Sequence, residues 1–121
     1  MPPLVQGRIV YPKVPIPDPQ GRNPKPNRPF VVITRTEGIA TAGTVQAVGI
    51  TDELGESPAD HYVALPWGAH ARTGLTKKCA ALCTWLINVE PSKAEIGTGY
   101  ISAKHVLAIV EKVKSLRQSK N

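Results

Sequence analysis

The feature that most constrains the fold is a short, almost wholly apolar run, Arg28-Pro29-Phe30-Val31-Val32-Ile33-Thr34. β-Branched residues dominate it, and a run of this kind is typical of a central strand buried on both faces. Proline cannot donate a hydrogen bond to a neighbouring strand, so Pro29 is expected at the first residue of the strand. We therefore predict a central strand over residues 29–36, with Arg28 at its rim, where a rigid scaffold often carries chemistry.

A proline-rich segment separates this run from a first short strand predicted at residues 7–11. Within residues 12–27, prolines occupy positions 12, 15, 17, 19, 24 and 26. Prolines at this density exclude both a helix and a β-ladder, and they favour an extended conformation. Long loops in compact domains tend to be functional. Because too few residues precede this loop to form a second domain, we interpret it as a structured flap rather than a linker.

Further strands are predicted at 44–51, at 61–65, where the pattern alternates, and at 79–89, the longest strand candidate. Gly49, inside the first of these, marks either a bulge or a close backbone approach. Residues 91–99, which contain two glycines, are expected to form a turn. By the period of two, one face of the longest strand carries Cys79, Ala81, Cys83, Trp85, Ile87 and Val89.

The hydrophobic period changes near Ser102, which is a favourable N-cap residue. Apolar residues then follow helical spacing, with lysines opposite, at Val106, Ile109, Val110, Val113 and Leu116. A C-terminal amphipathic helix is predicted over about 102–117. Five or six strands followed by one helix indicate a mainly β fold, a small antiparallel β-barrel with the helix closing one side. We expect one domain over residues 1–121.

The charge of the chain indicates the kind of partner. Lys and Arg number 15 against 9 Asp and Glu, a net charge of +6, which favours polyanions, with nucleic acid first. Residues 1–35 and 61–121 are basic, whereas residues 36–60 carry only acids: Glu37, Asp52, Glu53, Glu56 and Asp60. The sequence has neither a membrane-spanning apolar run nor a secretory pattern, so we expect a cytoplasmic location and no membrane partner.

The cysteines and histidines give no metal or disulfide signal. Cys79 and Cys83 are about 13 Å apart if they lie on one strand, which is too far for a disulfide. We expect free, buried thiols. His61, His70 and His105 show no metal-ligand spacing, so we expect no metal and no cofactor.

The order of these pieces resembles the PemK/MazF family, the toxin component of bacterial toxin–antitoxin pairs. The resemblance runs across roughly residues 6–117. It rests on a Gly-Arg-Ile-Val first strand, the long loop, Arg-Pro-Phe-Val-Val-Ile-Thr, Gly-Ile-Thr, His-Tyr-Val-Ala-Leu-Pro, Gly74-Leu75 and the 79–89 strand. It implies an SH3-like barrel with a C-terminal helix, usually a homodimer. Typical members are metal-independent endoribonucleases, silenced by an antitoxin whose disordered tail covers the RNA groove.

The resemblance also implies an active-site pair. The arginine that opens the family's Arg-Pro strand falls on Arg28, and the Thr or Ser that ends its third strand falls on Thr51. A guanidinium offers a fork of donors matched to phosphate oxygens, and a threonine hydroxyl can donate one more hydrogen bond. Arginine is a poor general base because it stays protonated. The base is therefore a perturbed Arg28, or His61 at the start of the next strand, or is absent.

Single-stranded RNA is the substrate that the resemblance implies, and the first loop carries most of the N-terminal positive charge. We therefore predict RNA binding by Lys13, Arg22, Lys25 and Arg28. The acidic turn 52–60 weakens this reading, because Asp52 and Glu53 directly follow Thr51 and would repel a phosphate there. That turn could point away or receive a basic stretch of a protein partner.

Three functions stay open at this point. The first is a toxin endoribonuclease that binds single-stranded RNA, a cognate antitoxin and a second copy of itself. The second is a toxin-like barrel that holds nucleic acid or a protein partner without cleaving. The third is a small structural protein whose charge serves only solubility.

Overall fold

A computed structural model describes residues 3–19, 21–22, 24–39 and 43–118 of the chain. The strands are β1 (Arg8–Pro12), β2 (Phe30–Val32), β3 (Val45–Thr51), β4 (Tyr62–Leu65), β5 (Cys79–Val89) and β6 (Ala94–Tyr100). The helices are α1 (Thr36–Ile39) and α2 (Ala103–Gln118), and two 3-10 turns lie at Ala59–His61 and Pro91–Lys93. All six strands belong to one antiparallel sheet in the order β4-β5-β3-β2-β1-β6. The mainly β fold with a C-terminal helix is confirmed.

The apolar run is a central strand, as predicted, but it is shorter than predicted. Strand β2 pairs with both β1 and β3, and its three residues are fully buried. It ends at Val32 rather than at residue 36. Near its end the Thr34 hydroxyl accepts a hydrogen bond from the Gln46 N–H at 2.8 Å. A side-chain acceptor here replaces a backbone carbonyl, which ends the regular ladder, and α1 begins shortly afterwards.

Residues 91–99 are not a turn, so that prediction is wrong. They contain most of β6, which pairs with β1 and places Ile96 opposite Val10. The two glycines provide space rather than a reversal of the chain. A Cβ on Gly97 would lie 2.8 Å from the Tyr11 ring, and one on Gly99 would lie 1.9 Å from the Thr73 carbonyl oxygen.

The barrel is not closed by strand pairing, because β4 and β6 are the two edges of the sheet. The loop between β4 and β5 bridges them instead. The Tyr100 N–H donates to the Arg72 carbonyl at 3.0 Å, and Thr73 packs on Gly99. This loop therefore brings residues 72–73 beside the end of β6.

Strand β5 does not present a single face, contrary to the prediction. Cys79 and Cys83 belong to the hydrophobic cluster under α2, whereas Trp85 belongs to the cluster on the opposite side. Between the pairs Val48–Leu86 and Ile50–Ala81, β3 advances two residues while β5 advances five. Strand β5 therefore contains three extra residues. Because side chains alternate between the two faces of a strand, an odd number of extra residues moves the side chains that follow to the opposite face.

Helix α2 packs by its predicted stripe. Val106, Ile109 and Val113 are buried in the hydrophobic cluster that also contains Cys79 and Cys83. The Ser102 hydroxyl accepts a hydrogen bond from the His105 N–H at 3.4 Å, which supports its role as N-cap. Among the helices of the described ranges, none combines the length and the apolar character that a membrane span requires. One domain over residues 1–121 stays a prediction.

Candidate functional site

One end of the sheet carries a pocket that contains both residues of the predicted active-site pair. The cavity measures about 310 Å³. Arg28 and Thr51 both line it, and we call it the Arg28 pocket. Its other walls come from the first loop, from the turn after β3 and from residues 75–77 of the loop before β5.

The pair comes together because β2 and β3 are antiparallel neighbours. The start of β2 therefore lies beside the end of β3, with Phe30 opposite Gly49. The Ile50 N–H donates to the Pro29 carbonyl at 3.1 Å, one residue beyond the regular ladder. This places the residue that precedes Pro29 and the residue that follows Ile50 at the same rim.

Trp85 forms the floor beneath Arg28. The Arg28 guanidinium carbon lies 5.5 Å from the Trp85 ring centroid, within range of a cation–π interaction. The indole is only 6% exposed, and it meets the Phe30 ring edge to face with 4.9 Å between centroids. A Cβ on Gly49 would lie 2.1 Å from the indole. Both expectations for Gly49 are met, since a register irregularity and a close approach coincide there.

Thr51 is partly buried at the end of β3, opposite Ala80. Its hydroxyl oxygen accepts a hydrogen bond from the Glu53 N–H at 3.0 Å. That bond uses a lone pair and leaves the hydroxyl proton for another acceptor. Thr51 can therefore donate to an anionic ligand in the pocket.

The lining of the pocket is not basic. Four carboxylates and three cationic side chains line it: Asp18, Asp52, Glu53, Glu56, Lys25, Arg28 and Lys77. Asp52 and Lys77 form an ion pair at 3.6 Å. The acidic turn therefore faces the pocket, and part of its charge is neutralised within the protein.

Arg22 joins the proline-rich loop to the acidic turn. Its guanidinium contacts the carboxylates of Glu56 and Asp18, the latter at 3.4 Å. The backbone N–H of Arg22 also donates a hydrogen bond to the Asp18 carboxylate at 2.8 Å. The hydrogen bond to Glu56 is the main cause that raises the pKa of Arg22. This residue is thus held by two carboxylates and does not line the pocket.

Two other predicted site residues lie apart from Arg28 and Thr51. Lys13 is exposed, and its N–H donates to the Lys93 carbonyl at 2.9 Å. His61 ends the 3-10 turn before β4 instead of opening that strand. Neither lines the Arg28 pocket. Of the four predicted RNA-binding residues, the structure places Lys25 and Arg28 in this pocket.

Sequence reasoning missed Trp85 and Lys77 as residues of the pocket. The Lys77-Lys78 pair was a visible basic signal, but nothing local showed which way it faces. Trp85 was assigned to the same face as Cys83, whereas the register irregularity places it in the opposite cluster, with Phe30.

Neither the cysteines nor the acids form an evident metal site. Both cysteines are free and buried. Burial raises the pKa of the Cys83 thiol to about 11, and burial followed by Asp52 raises that of Cys79, which lines the pocket. The part of the chain that the structure describes contains no group of three or more His, Cys, Asp or Glu side chains that could hold a metal ion.

Comparisons of sequence find no relative: no protein-family model matches the chain, and no curated protein does. Solved structures do match it. MazF from Deinococcus radiodurans aligns over 96% of this chain and 96% of its own, with a TM-score of 0.67 and 21% identity. An endoribonuclease in complex with its cognate antitoxin, from Mycobacterial species, aligns over 93% of both chains, with a TM-score of 0.66 and 11% identity.

A third structure, the Mycobacterium tuberculosis toxin MazF-mt6, aligns over 85% of this chain and 93% of its own, with a TM-score of 0.60 and 17% identity. The three matches cover nearly the whole of each partner. The order of sequence pieces and the tertiary structure therefore agree, and the chain has the fold of the MazF toxins.

Proposed function

We propose that this protein is a MazF-like toxin of a toxin–antitoxin pair that cleaves single-stranded RNA without a metal ion. The observation that carries this proposal is the meeting of Arg28 and Thr51 in one pocket. They are the residues that the family resemblance implies as the active-site pair. The fold shared with MazF structures supports it.

The chemistry assigned to the pair is stabilisation of charge. In this reaction the RNA 2′-oxygen forms a bond to the adjacent phosphorus, and the bond from phosphorus to the 5′-oxygen breaks. The 2′-hydroxyl loses its proton and the leaving oxygen gains one. The intermediate phosphorane carries extra negative charge, which the Arg28 fork and the Thr51 hydroxyl can both meet with donors. The products are a 2′,3′-cyclic phosphate and a 5′-hydroxyl.

The geometry supports Arg28 as the stabilising cation more than His61 as the base. The Arg28 guanidinium carbon lies 5.5 Å from the centroid of the Trp85 ring on the pocket floor, whereas His61 does not line the pocket. A protonated guanidinium is a poor base. The proposed mechanism therefore assigns Arg28 to the phosphorane and gives His61 no direct part.

An antitoxin, a second copy and a cytoplasmic location belong to the same proposal. Chains of this fold have been solved as MazE–MazF complexes, one of which aligns over 95% of this chain. The acidic turn at the pocket would suit a basic stretch of such a partner. The homodimer follows from the family resemblance and from the frequency of two-fold assemblies.

A second function is favoured by the acids of the pocket. Four carboxylates line it, and Arg22 is held by two of them. Such a lining opposes the approach of phosphates. A toxin-like barrel that binds nucleic acid or a protein partner without cleaving is the alternative that this observation supports.

One experiment separates the two functions. The purified protein is incubated with single-stranded RNA of varied sequence, with and without a chelator, and the end groups of the products are identified. The proposal expects cleavage that a chelator does not change, cyclic phosphate ends, and loss of cleavage in Arg28→Ala. Wild-type protein that binds this RNA but leaves it intact would support the non-catalytic alternative.

A further inference from the structure

The cations of the Arg28 pocket are too few and too well compensated to hold a polyanion alone. Four carboxylates face three cations there. Lys77 is paired with Asp52. Arg22, which was expected to bind RNA, is held by Glu56 and Asp18. Since affinity for nucleic acid comes largely from phosphate neutralisation, a strand bound at this pocket needs cations elsewhere on the surface.

The edge of the sheet where β1 and β6 meet carries a different cationic group. Arg8 and Tyr100 are register neighbours on these strands. The Arg8 guanidinium carbon lies 5.9 Å from the Tyr100 ring centroid. From the loop between β4 and β5, an Arg72 amino group donates to the Tyr100 hydroxyl at 3.2 Å. The tyrosine thus stands between two guanidinium groups and remains 39% exposed.

The orientation of Arg8 is fixed without neutralising its charge. Its Nε donates to the Pro3 carbonyl and its Nη1 to the Thr98 carbonyl, both at 3.0 Å. Carbonyl oxygens accept these bonds but carry no net charge. Among the described residues, neither Arg8 nor Arg72 forms an ion pair with a carboxylate, whereas Arg22, Lys77 and Lys93 do.

We propose that Arg8, Arg72 and Tyr100, which we call the Tyr100 platform, form a second contact for single-stranded nucleic acid, separate from the Arg28 pocket. An exposed aromatic ring offers a face on which one base can stack, and such stacking tolerates any base. The flanking guanidinium groups bind the adjoining phosphates. The proposal rests on the proposed function for the identity of the ligand, but not on cleavage.

The platform and the pocket lie at opposite ends of β1. Arg8 begins this strand, and Pro12, which ends it, accepts a hydrogen bond from Asn27 beside Arg28. Four residues of strand span about 13 Å. The loop before β5 connects both places, because Arg72 contacts Tyr100 while residues 75–77 line the pocket. A strand of a few nucleotides is long enough to follow the length of β1 that separates the two.

The test measures binding with an oligonucleotide that cannot be cleaved. A fluorescent 2′-O-methyl RNA of mixed sequence is titrated with wild type, Tyr100→Leu, Tyr100→Phe and Arg72→Gln, and Kd is read from anisotropy. Tyr100→Leu is expected to raise Kd about tenfold, within the range for losing one stacked base. Tyr100→Phe keeps the ring and most of the affinity. Arg72→Gln is expected to weaken binding and lower the salt slope by about one.

The matched control is Trp67→Leu, which removes another aromatic side chain that is 50% exposed. It is expected to leave Kd unchanged. A crosslinking measurement covers the case in which Tyr100→Leu fails to fold. Irradiation of wild type with a 5-iodouracil oligonucleotide should label the peptide that contains Tyr100.

Three results would overturn the platform: an unchanged Kd in both Tyr100→Leu and Arg72→Gln, equal losses in Trp67→Leu, or crosslinks confined to the pocket. A wild-type protein that does not bind the oligonucleotide would also overturn it. Binding that shows the expected dependence on Tyr100, with unmodified RNA left intact, would retain the platform and reject the ribonuclease. The two proposals therefore fail separately.

Discussion

The Arg28 pocket and the Tyr100 platform differ in whether their cationic side chains lie beside carboxylates. In the pocket, cations are mixed with carboxylates, and the Lys77–Asp52 and Arg22–Glu56 pairs lie at or beside its walls. At the platform, both guanidinium groups contact Tyr100, and that of Arg8 also donates to two neutral carbonyl groups. A pocket with compensated charge suits selective placement of one phosphate, whereas an uncompensated surface suits general attraction. The net charge of +6 alone does not distinguish them.

The largest expected effect tests whether the pocket carries cleavage while the platform contributes only to RNA binding. Arg28→Ala should lower the rate of RNA cleavage by about two orders of magnitude or more, the scale for losing one preorganised donor. Arg28→Lys should recover little, because a point charge does not reproduce the bidentate fork. Thr51→Ala should cost less and Thr51→Ser least, measured as single-turnover rates. In the same assay Tyr100→Leu should leave the rate at saturating RNA unchanged, and a comparable loss there would erase the comparison.

The second prediction concerns how the pocket presents Arg28. Trp85→Leu removes the ring beneath the guanidinium, so the cleavage rate should fall about thirtyfold, the scale of a desolvated cation–π contact. Trp85→Phe keeps an aromatic face and should retain most activity. A merely structural role is tested with a double-mutant cycle. In the Arg28→Ala background, Trp85→Leu should add little, and fully additive losses would contradict a positioning role.

The third prediction concerns compensated charge in the pocket. Glu56→Gln removes one carboxylate and releases Arg22, so the affinity for single-stranded RNA should rise a few-fold at low salt. The gain should shrink at high salt, because exposed charges are screened. Arg22→Gln should change affinity little, since the guanidinium is already held by carboxylates. A strong loss in Arg22→Gln would restore that residue as an RNA contact and blur the contrast with the platform.

The smallest expected effect concerns the thiols behind the pocket. Burial raises the pKa of Cys83 to about 11, so the thiol stays protonated at neutral pH and reacts slowly, because the thiolate is the nucleophile. Iodoacetamide should label Cys83 only after denaturation, read by mass spectrometry of the peptide. Since Cys79 faces the pocket and has a raised pKa as well, its labelling should rise with pH and fall when RNA is bound. Rapid labelling of Cys83 in the folded protein at neutral pH would contradict this account.

Local patterns in the sequence were sufficient for several elements of the fold. A dense β-branched run predicts a buried strand, and β2 is one of the two central strands of the sheet. Helical spacing from Val106 onward predicts a packed stripe, and α2 buries it. Strand β5 has the predicted bounds, Cys79–Val89. These features depend on the period and composition of neighbouring residues, which a single segment contains in full.

The glycines of β6 show where local patterns mislead. Gly97 and Gly99 predicted a turn, yet both belong to a strand because Tyr11 and Thr73 occupy the space where their side chains would be. Those neighbours are remote in sequence. A glycine that permits a turn and a glycine that admits a neighbour have the same local signature.

By itself the sequence determined the order of pieces that resembles a MazF toxin, and with it the pairing of Arg28 with Thr51 as a hypothesis. Only the tertiary structure decided that these two residues share a pocket with Trp85, that Arg22 is held by Glu56, and that His61 lies outside. The physical reason is register and loop placement. A surplus of three residues in β5, the difference between its five-residue and two-residue advances, turns Trp85 to the other face. The Arg22–Glu56 ion pair joins two loops, so it depends on where the fold places each of them. Local sequence determines neither the register of β5 nor the placement of these loops.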